Sequence, residues 1–137
     1  MIEQFEIEVG PFSKGLHLIT SQIKELLKQS KIDRGLCNIF CLHTSCSLTI
    51  TENADPSVRR DLMVAFESLA PESEEWEHSA EGPDDMPAHV KSSLTDSSLT
   101  LPWKDCGLVL GAWQGVCLCE HRNRAVSRKL FITLIGS

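Results

Sequence analysis

Residues 2–9 alternate apolar and polar side chains, with Phe5, Ile7 and Val9 on one side and Gln4, Glu6 and Glu8 on the other. A period of two predicts a half-buried β-strand. Gly10, Pro11 and Gly15 punctuate it, and a short Leu16–Ile19 stretch follows. Ile23, Leu26, Leu27 and Ser30 then recur at helical spacing, so an amphipathic helix is expected over about 20–30, with Thr20 as its N-cap. Asp33-Arg34-Gly35 turns the chain into residues 36–52, read as one strand or two strands that could form a hairpin. There Phe40, Leu42, Leu48 and Ile50 share one face, and Cys41, His43, Ser47, Thr49 and Thr51 the other. Val58, Leu62, Ala65, Phe66 and Leu69 give a second helix, about 57–69, with Pro56 in its first turn and Asp55 or Ser57 as cap.

Beyond it the pattern breaks. His78 to His89 packs two histidines, three carboxylates and two prolines into twelve residues. Pro83 and Pro87 lack a backbone donor, which excludes a long helix or a central strand and predicts a shaped loop. Residues 88–94 allow one or two helical turns. Leu99 and Leu101 alternate with Thr100, Asp105-Cys106-Gly107 reads as a hairpin turn, and strands follow over 116–122 and 129–135. In the first of these Glu120 interrupts the apolar face of Val116 and Leu118. A carboxylate in that position has to be paired or hydrogen-bonded, because burying it alone costs several kcal/mol. Hairpin-like adjacency of strands around two main helices predicts an α+β fold with antiparallel sheet.

At 137 residues the chain suits one domain spanning 1–137. Its 42% hydrophobic and 23% charged content is that of a globular protein, and no apolar run approaches a membrane span. The N-terminal residues lack the basic start and apolar core of a signal peptide, so a cytoplasmic location is expected. Without a CxxC pair, the six cysteines are expected as reduced, mostly buried thiols. The net charge of −6 argues against a general nucleic-acid footprint and leaves one basic cluster, Arg122 to Lys129, suited to a small anion.

Three stretches carry candidate chemistry: His43-Thr-Ser-Cys-Ser-Leu-Thr-Ile-Thr-Glu-Asn-Ala-Asp55-Pro, Glu81-Gly-Pro-Asp-Asp-Met-Pro-Ala-His89, and Trp113-Gln-Gly115 with Glu120-His-Arg122. Together, and in this order, they resemble the YjbQ family, also described as secondary thiamine-phosphate synthases, across nearly the whole chain. The resemblance implies an antiparallel β-sandwich with two main helices that assembles as a homotrimer, with the polar motifs near the subunit boundary. It further implies an activity that joins an aminopyrimidine diphosphate to a thiazole phosphate with release of diphosphate, secondary to another main role. It also implies a divalent metal held by His43, His78 and His89, with Glu120 nearby. Gly111-Ala112, Trp103 and Asp105-Cys106-Gly107 depart from the family pattern, and His121 is left out of the metal set.

For that reaction, charge neutralisation on the leaving diphosphate matters more than a strong nucleophile. Glu120, His89 and Asp55 are the catalytic candidates, and Ser45, Asn53, Gln114, Arg122 and Arg128 the candidates for binding a phosphorylated substrate. The histidines favour a zinc-like ion, whereas Asp55, Asp84, Asp85 and Glu120 would favour Mg²⁺. Two alternatives stay open: a metal-dependent hydrolase with Glu120 as base, and a non-enzymatic trimer that binds a metal or small anion.

Overall fold

The computed structural model describes all of residues 1–137. Eight strands and three helices follow one another as β1 (Ile2–Val9), β2 (Gly15–Leu18), α1 (Thr20–Leu27), β3 (Gly35–Cys41), β4 (Cys46–Glu52), α2 (Pro56–Leu69), α3 (Asp85–Leu94), β5 (Ser98–Lys104), β6 (Gly107–Leu108), β7 (Gln114–Glu120) and β8 (Arg128–Gly136). The strands form a five-stranded sheet, β1-β8-β3-β5-β6, and a three-stranded sheet, β2-β7-β4, with antiparallel pairing throughout. The expected α+β architecture is present, and the one or two helical turns expected over 88–94 are the end of a third helix that begins earlier, at Asp85.

The core lies between the sheets. Cys37, Ile39, Leu101, Leu130, Ile132 and Leu134 of the larger sheet meet Cys46, Leu48, Val116 and Leu118 of the smaller one. Ile23 and Leu27 of α1 complete it, and α1 touches both β6 and β7. Helices α2 and α3 cover the outer face of the small sheet, over Ser47, Cys117, Cys119 and His121. No helix is long and apolar enough to cross a membrane.

Several local expectations are corrected. Residues 36–52 form two strands, but β3 and β4 lie in different sheets and are not a hairpin. The core face of β3 is Cys37–Ile39–Cys41, so Phe40 and Leu42 point outward, 44% and 46% exposed. Continuous alternation across 42–45 failed because the chain changes sheets there. Thr20 is the first residue of α1, which ends at Leu27; its hydroxyl accepts from the Val116 N–H at 2.9 Å instead of capping the helix. Asp55 does cap α2, accepting from the Ser57 N–H at 2.9 Å. Finally, residues 85–89 are helical. Pro87 is the third residue of α3, inside the first turn, where a missing N–H removes no helical hydrogen bond. At the β5–β6 turn Asp105 and Cys106 adopt φ of 53° and 56°, the left-handed pair that a two-residue hairpin needs.

Candidate metal centre and polar pocket

Helix α3 sets the site. Asp85 and His89 stand four residues apart on one face of its first turns, and His78 reaches them from the preceding loop. His78 Nε2 lies 2.7 Å and His89 Nε2 3.4 Å from Asp85 Oδ2. One ligand atom from each of the three residues falls within 4.8 Å of the others, the grouping a single cation requires. His89 Nδ1 is 3.0 Å from the Thr44 carbonyl, which can only accept, so Nδ1 carries a proton and Nε2, turned to Asp85, is the nitrogen left to ligate a metal once it is deprotonated. Imidazoles that ligate metals are commonly oriented in this way by an outer partner. Asp85 is 4% exposed while its two histidine partners are more open, so the cluster faces solvent from a fixed base.

That base is Arg122. Its Nε donates to Asp84 Oδ2 at 2.9 Å, Nη1 to Asp85 Oδ1 at 2.8 Å and Nη2 to the Glu81 carbonyl at 2.9 Å. The Asn123 N–H adds a 2.8 Å bond to Asp84. Burial pushes the Asp85 carboxyl up, but the His78 hydrogen bond and the charges of His89 and Arg122 more than offset this, holding it below the usual carboxylate range. Asp84 is likewise held low, with Arg122 and Asn123 outweighing burial.

Beside the cluster opens a cavity of about 380 Å³ lined by His43, Thr44, His89, Ser92, Ser93, Thr95 and Ser97, with no apolar side chain among them. Such a pocket offers hydroxyls and two imidazoles to a strongly polar ligand. The hydroxyl residues were missed in the sequence, although the run Ser92-Ser93-Leu94-Thr95-Asp96-Ser97-Ser98 was a visible signal of a polar helix end.

The structure distributes the other candidates differently from the expectation. His43 is across the pocket and outside the cluster: its Nε2 accepts from the Lys129 N–H at 2.8 Å, which uses the lone pair a metal would need. Burial and the Arg128 charge lower its pKa. Glu120 is fully buried and gives Oε1 to Arg128 Nε at 2.7 Å and Oε2 to Arg128 Nη2 at 2.5 Å and the Arg122 N–H at 3.2 Å. Neither Glu120 nor Arg128 faces the cluster as a free group. Ser45 sits in the 42–45 loop, where its carbonyl accepts from Arg128 at 3.4 Å. Asp55 is occupied by the Ser57 N–H and hydroxyl, which hold its carboxyl low.

Asn53 and Gln114 lie at the far end of β4 and β7. Glu120 pairs with Cys46 at one end of the ladder and Gln114 with Glu52 at the other, a separation of roughly 20 Å at about 3.3 Å per residue. The Asn53 amide donates to the Ala112 and Gln114 carbonyls, and Gln114 Oε1 accepts from the Gly111 N–H at 2.8 Å. Gly115 explains its own place in the motif, since a Cβ there would come within 2.6 Å of Leu18 and 3.0 Å of Asn53. These two amides border a separate cavity of about 570 Å³ with Thr20, Ser21 and Lys24.

Comparison with known proteins follows the same outline. The family described as UPF0047 protein YjbQ-like matches residues 4–137. The YjbQ protein of Salmonella typhimurium is 45% identical, with 97% of each chain covered. A relative from Synechocystis is 46% identical over 90% of this chain and 84% of its own. Among solved structures, a conserved hypothetical protein from Thermus thermophilus superposes with a TM-score of 0.85 at 34% identity, covering 96% of this chain and 99% of that one. A YbjQ-like protein of unknown function from Sulfolobus solfataricus, 22% identical, shares the fold with a TM-score of 0.89 over 100% of this chain and 99% of its own.

Proposed function

The chain belongs to the YjbQ-like UPF0047 family, and on that premise we propose that it is a divalent-metal enzyme for a small phosphorylated substrate. The His78–Asp85–His89 cluster at the edge of an entirely polar pocket is the observation that carries this. Two imidazoles and one carboxylate, with further positions left to water or substrate, are the ligand set of catalytic rather than structural zinc-like sites. A metal there would neutralise charge on a phosphate group, while the hydroxyls of Ser92, Ser93 and Thr95 orient it. The reaction proposed is thiamine-phosphate synthesis from an aminopyrimidine diphosphate and a thiazole phosphate, secondary to another main role.

Metal-assisted hydrolysis is the second reading, and a specific observation favours it. Arg122 and Arg128, the residues that would clamp a leaving diphosphate, already spend their donors on Asp84, Asp85 and Glu120. A cation binding at Asp85 would then be the main counter-charge for any phosphate.

The functional unit proposed is a cytoplasmic homotrimer. On the outward face of the five-stranded sheet Ile2, Ile135 and Leu36 stand side by side across β1, β8 and β3, with Phe40 four residues farther along β3 and Leu42 just beyond its end, all between 44% and 62% exposed. Large exposed apolar side chains grouped in this way mark protein contact surfaces.

The test titrates apoprotein with Co²⁺ and follows its visible absorption, for wild type, His89→Ala and Asp85→Asn. Stoichiometric binding that weakens at least tenfold in both folded variants is expected; equal binding in all three overturns the site. Product analysis of the two-substrate mixture and of single phosphate esters then separates synthesis from hydrolysis. Metal binding with neither product leaves a binding trimer.

A further inference from the structure

Cys41 ends β3 and Cys46 begins β4, and their side chains meet beneath the 42–45 loop with Sγ atoms 3.4 Å apart. Cys41 Sγ is also 3.5 Å from the Cys46 carbonyl. No other thiol pair in the chain makes such a contact: Cys37, Cys117 and Cys119 are buried separately, and Cys106 is exposed at the β5–β6 turn. Both sulfurs are buried, Cys41 being 2% and Cys46 1% exposed, and the 42–45 loop that covers them borders an open depression of about 540 Å³ lined by Phe40, Leu42, His43, Thr44 and Ser45.

From this geometry we infer that Cys41 and Cys46 form a reversible dithiol–disulfide site, oxidised by a small hydroperoxide and linking the two sheets at the base of the 42–45 loop. The Cys41 thiolate attacks the distal peroxide oxygen, breaking the O–O bond and releasing water from hydrogen peroxide, to give a sulfenic acid. The Cys46 sulfur then displaces the sulfenic hydroxyl as water, forming the S–S bond. Two electrons pass from the two sulfurs to the peroxide, and both thiol protons leave in water. A dithiol reductant reverses the change. Closure to bonding distance requires the sulfurs to approach by about 1.4 Å, toward the usual S–S length of about 2.05 Å. The consequence reaches the site, because the loop so tied carries His43 and the Thr44 carbonyl that orients His89.

The experiment treats the full chain carrying Cys106→Ser with hydrogen peroxide, alkylates remaining thiols after unfolding, and maps peptides by mass spectrometry. A Cys41–Cys46 linked peptide that disappears on dithiothreitol treatment is the expected result. Alkylation of both cysteines after exposure that oxidises the methionines, or linkage of either to Cys37, Cys117 or Cys119, overturns the proposal. A Cys46→Ala variant, its fold checked by circular dichroism, should accumulate a dimedone-reactive sulfenic acid at Cys41. If that variant does not fold, Cys41→Ala must leave Cys46 unoxidised under the same treatment; sulfenic acid on Cys46 would overturn the assigned order of attack.

Discussion

Replacing Glu120 by Gln should destabilise the protein by about 3–5 kcal/mol, because it breaks a buried ion pair while keeping the side-chain shape. Glu120 is 0% and Arg128 4% exposed, so neither charge can be rehydrated in place. The carboxylate accepts from Arg128 Nε, Arg128 Nη2 and the Arg122 N–H. A glutamine turns one of these acceptors into a donor facing donors, losing a charge-assisted bond of about 1.5–3 kcal/mol. It also leaves a buried guanidinium with no counter-charge, whose remaining acceptors are the glutamine oxygen, the Ser45 carbonyl at 3.4 Å and His43 Nδ1 at 3.5 Å. Against a total stability of roughly 5–15 kcal/mol the loss is large, and it corresponds to a fall in Tm of roughly 10–15 °C. Equilibrium urea unfolding at one fixed protein concentration measures it. Adding Arg128→Met should recover at least about 2 kcal/mol, since the uncompensated charge is gone. A Glu120→Gln protein within about 1 kcal/mol of wild type, or purely additive losses in the double variant, would refute the assignment of Glu120 and Arg128 as a stabilising pair.

Two further outcomes follow from single groups. His121 is 1% exposed, and its pKa is lowered from 6.5 to about 3 by burial, with the Lys91 and Lys14 charges adding to it. The unfolded chain therefore binds a proton that the folded one refuses, so the stabilisation is complete above about pH 6.5 and is lost as pH falls toward 3. In that window wild type should lose up to about 1.4 kcal/mol per pH unit more than His121→Gln; parallel stability curves would remove His121 as the cause. On the outer sheet, Phe40→Asp places a charge near the exposed Leu42 and the half-buried Phe131; if this face builds the proposed trimer, the variant should be monomeric by light scattering with the circular dichroism spectrum unchanged. A trimeric Phe40→Asp protein would move the contact to another face.

The positions of most strands and of the first two helices were legible where one periodicity ran unbroken; the order of the strands in the sheets was not. β1 and β8 alternate cleanly because one face of each packs on the core, whereas β7 is buried on both faces, and Asp55-Pro56 announces the start of α2 by its capping chemistry. The 36–52 stretch was misread because both strands are apolar on the face that meets the other sheet and β3 is apolar on its outer face too, so alternation alone could not assign its faces. The turns over 88–94 were legible, but the start of α3 at Asp85 was hidden by Pro87, whose effect depends on its distance from a helix start that the sequence does not mark; Asp84 makes no side-chain capping bond. His78 and His89 were found from composition. His43 was grouped with them by resemblance, and its separation rests on a backbone N–H from Lys129, a contact 86 residues apart in sequence.

At the proposed metal site, the preference between a zinc-like ion and Mg²⁺ turns on where the carboxylates have gone. Asp55 is committed to the first turn of α2, Asp84 to Arg122 and Asn123, and Glu120 to Arg128. Asp85 has one oxygen on Arg122 and the other turned to the histidines. A cation entering the cluster therefore meets one carboxylate oxygen and two imidazole nitrogens. Mg²⁺ prefers an octahedral set of oxygens and gains little from imidazole, whereas Zn²⁺ and its neighbours accept this mixture. The positive end of α3 and the Arg122 charge oppose any cation there, and the Asp84 and Asp85 charges oppose that field in turn. Affinity consequently depends on nitrogen donation from His78 and His89, so excess Mg²⁺ should fail to displace bound Co²⁺ from the wild-type protein. Displacement by millimolar Mg²⁺ would mean that the ion is held by oxygen ligands outside this cluster.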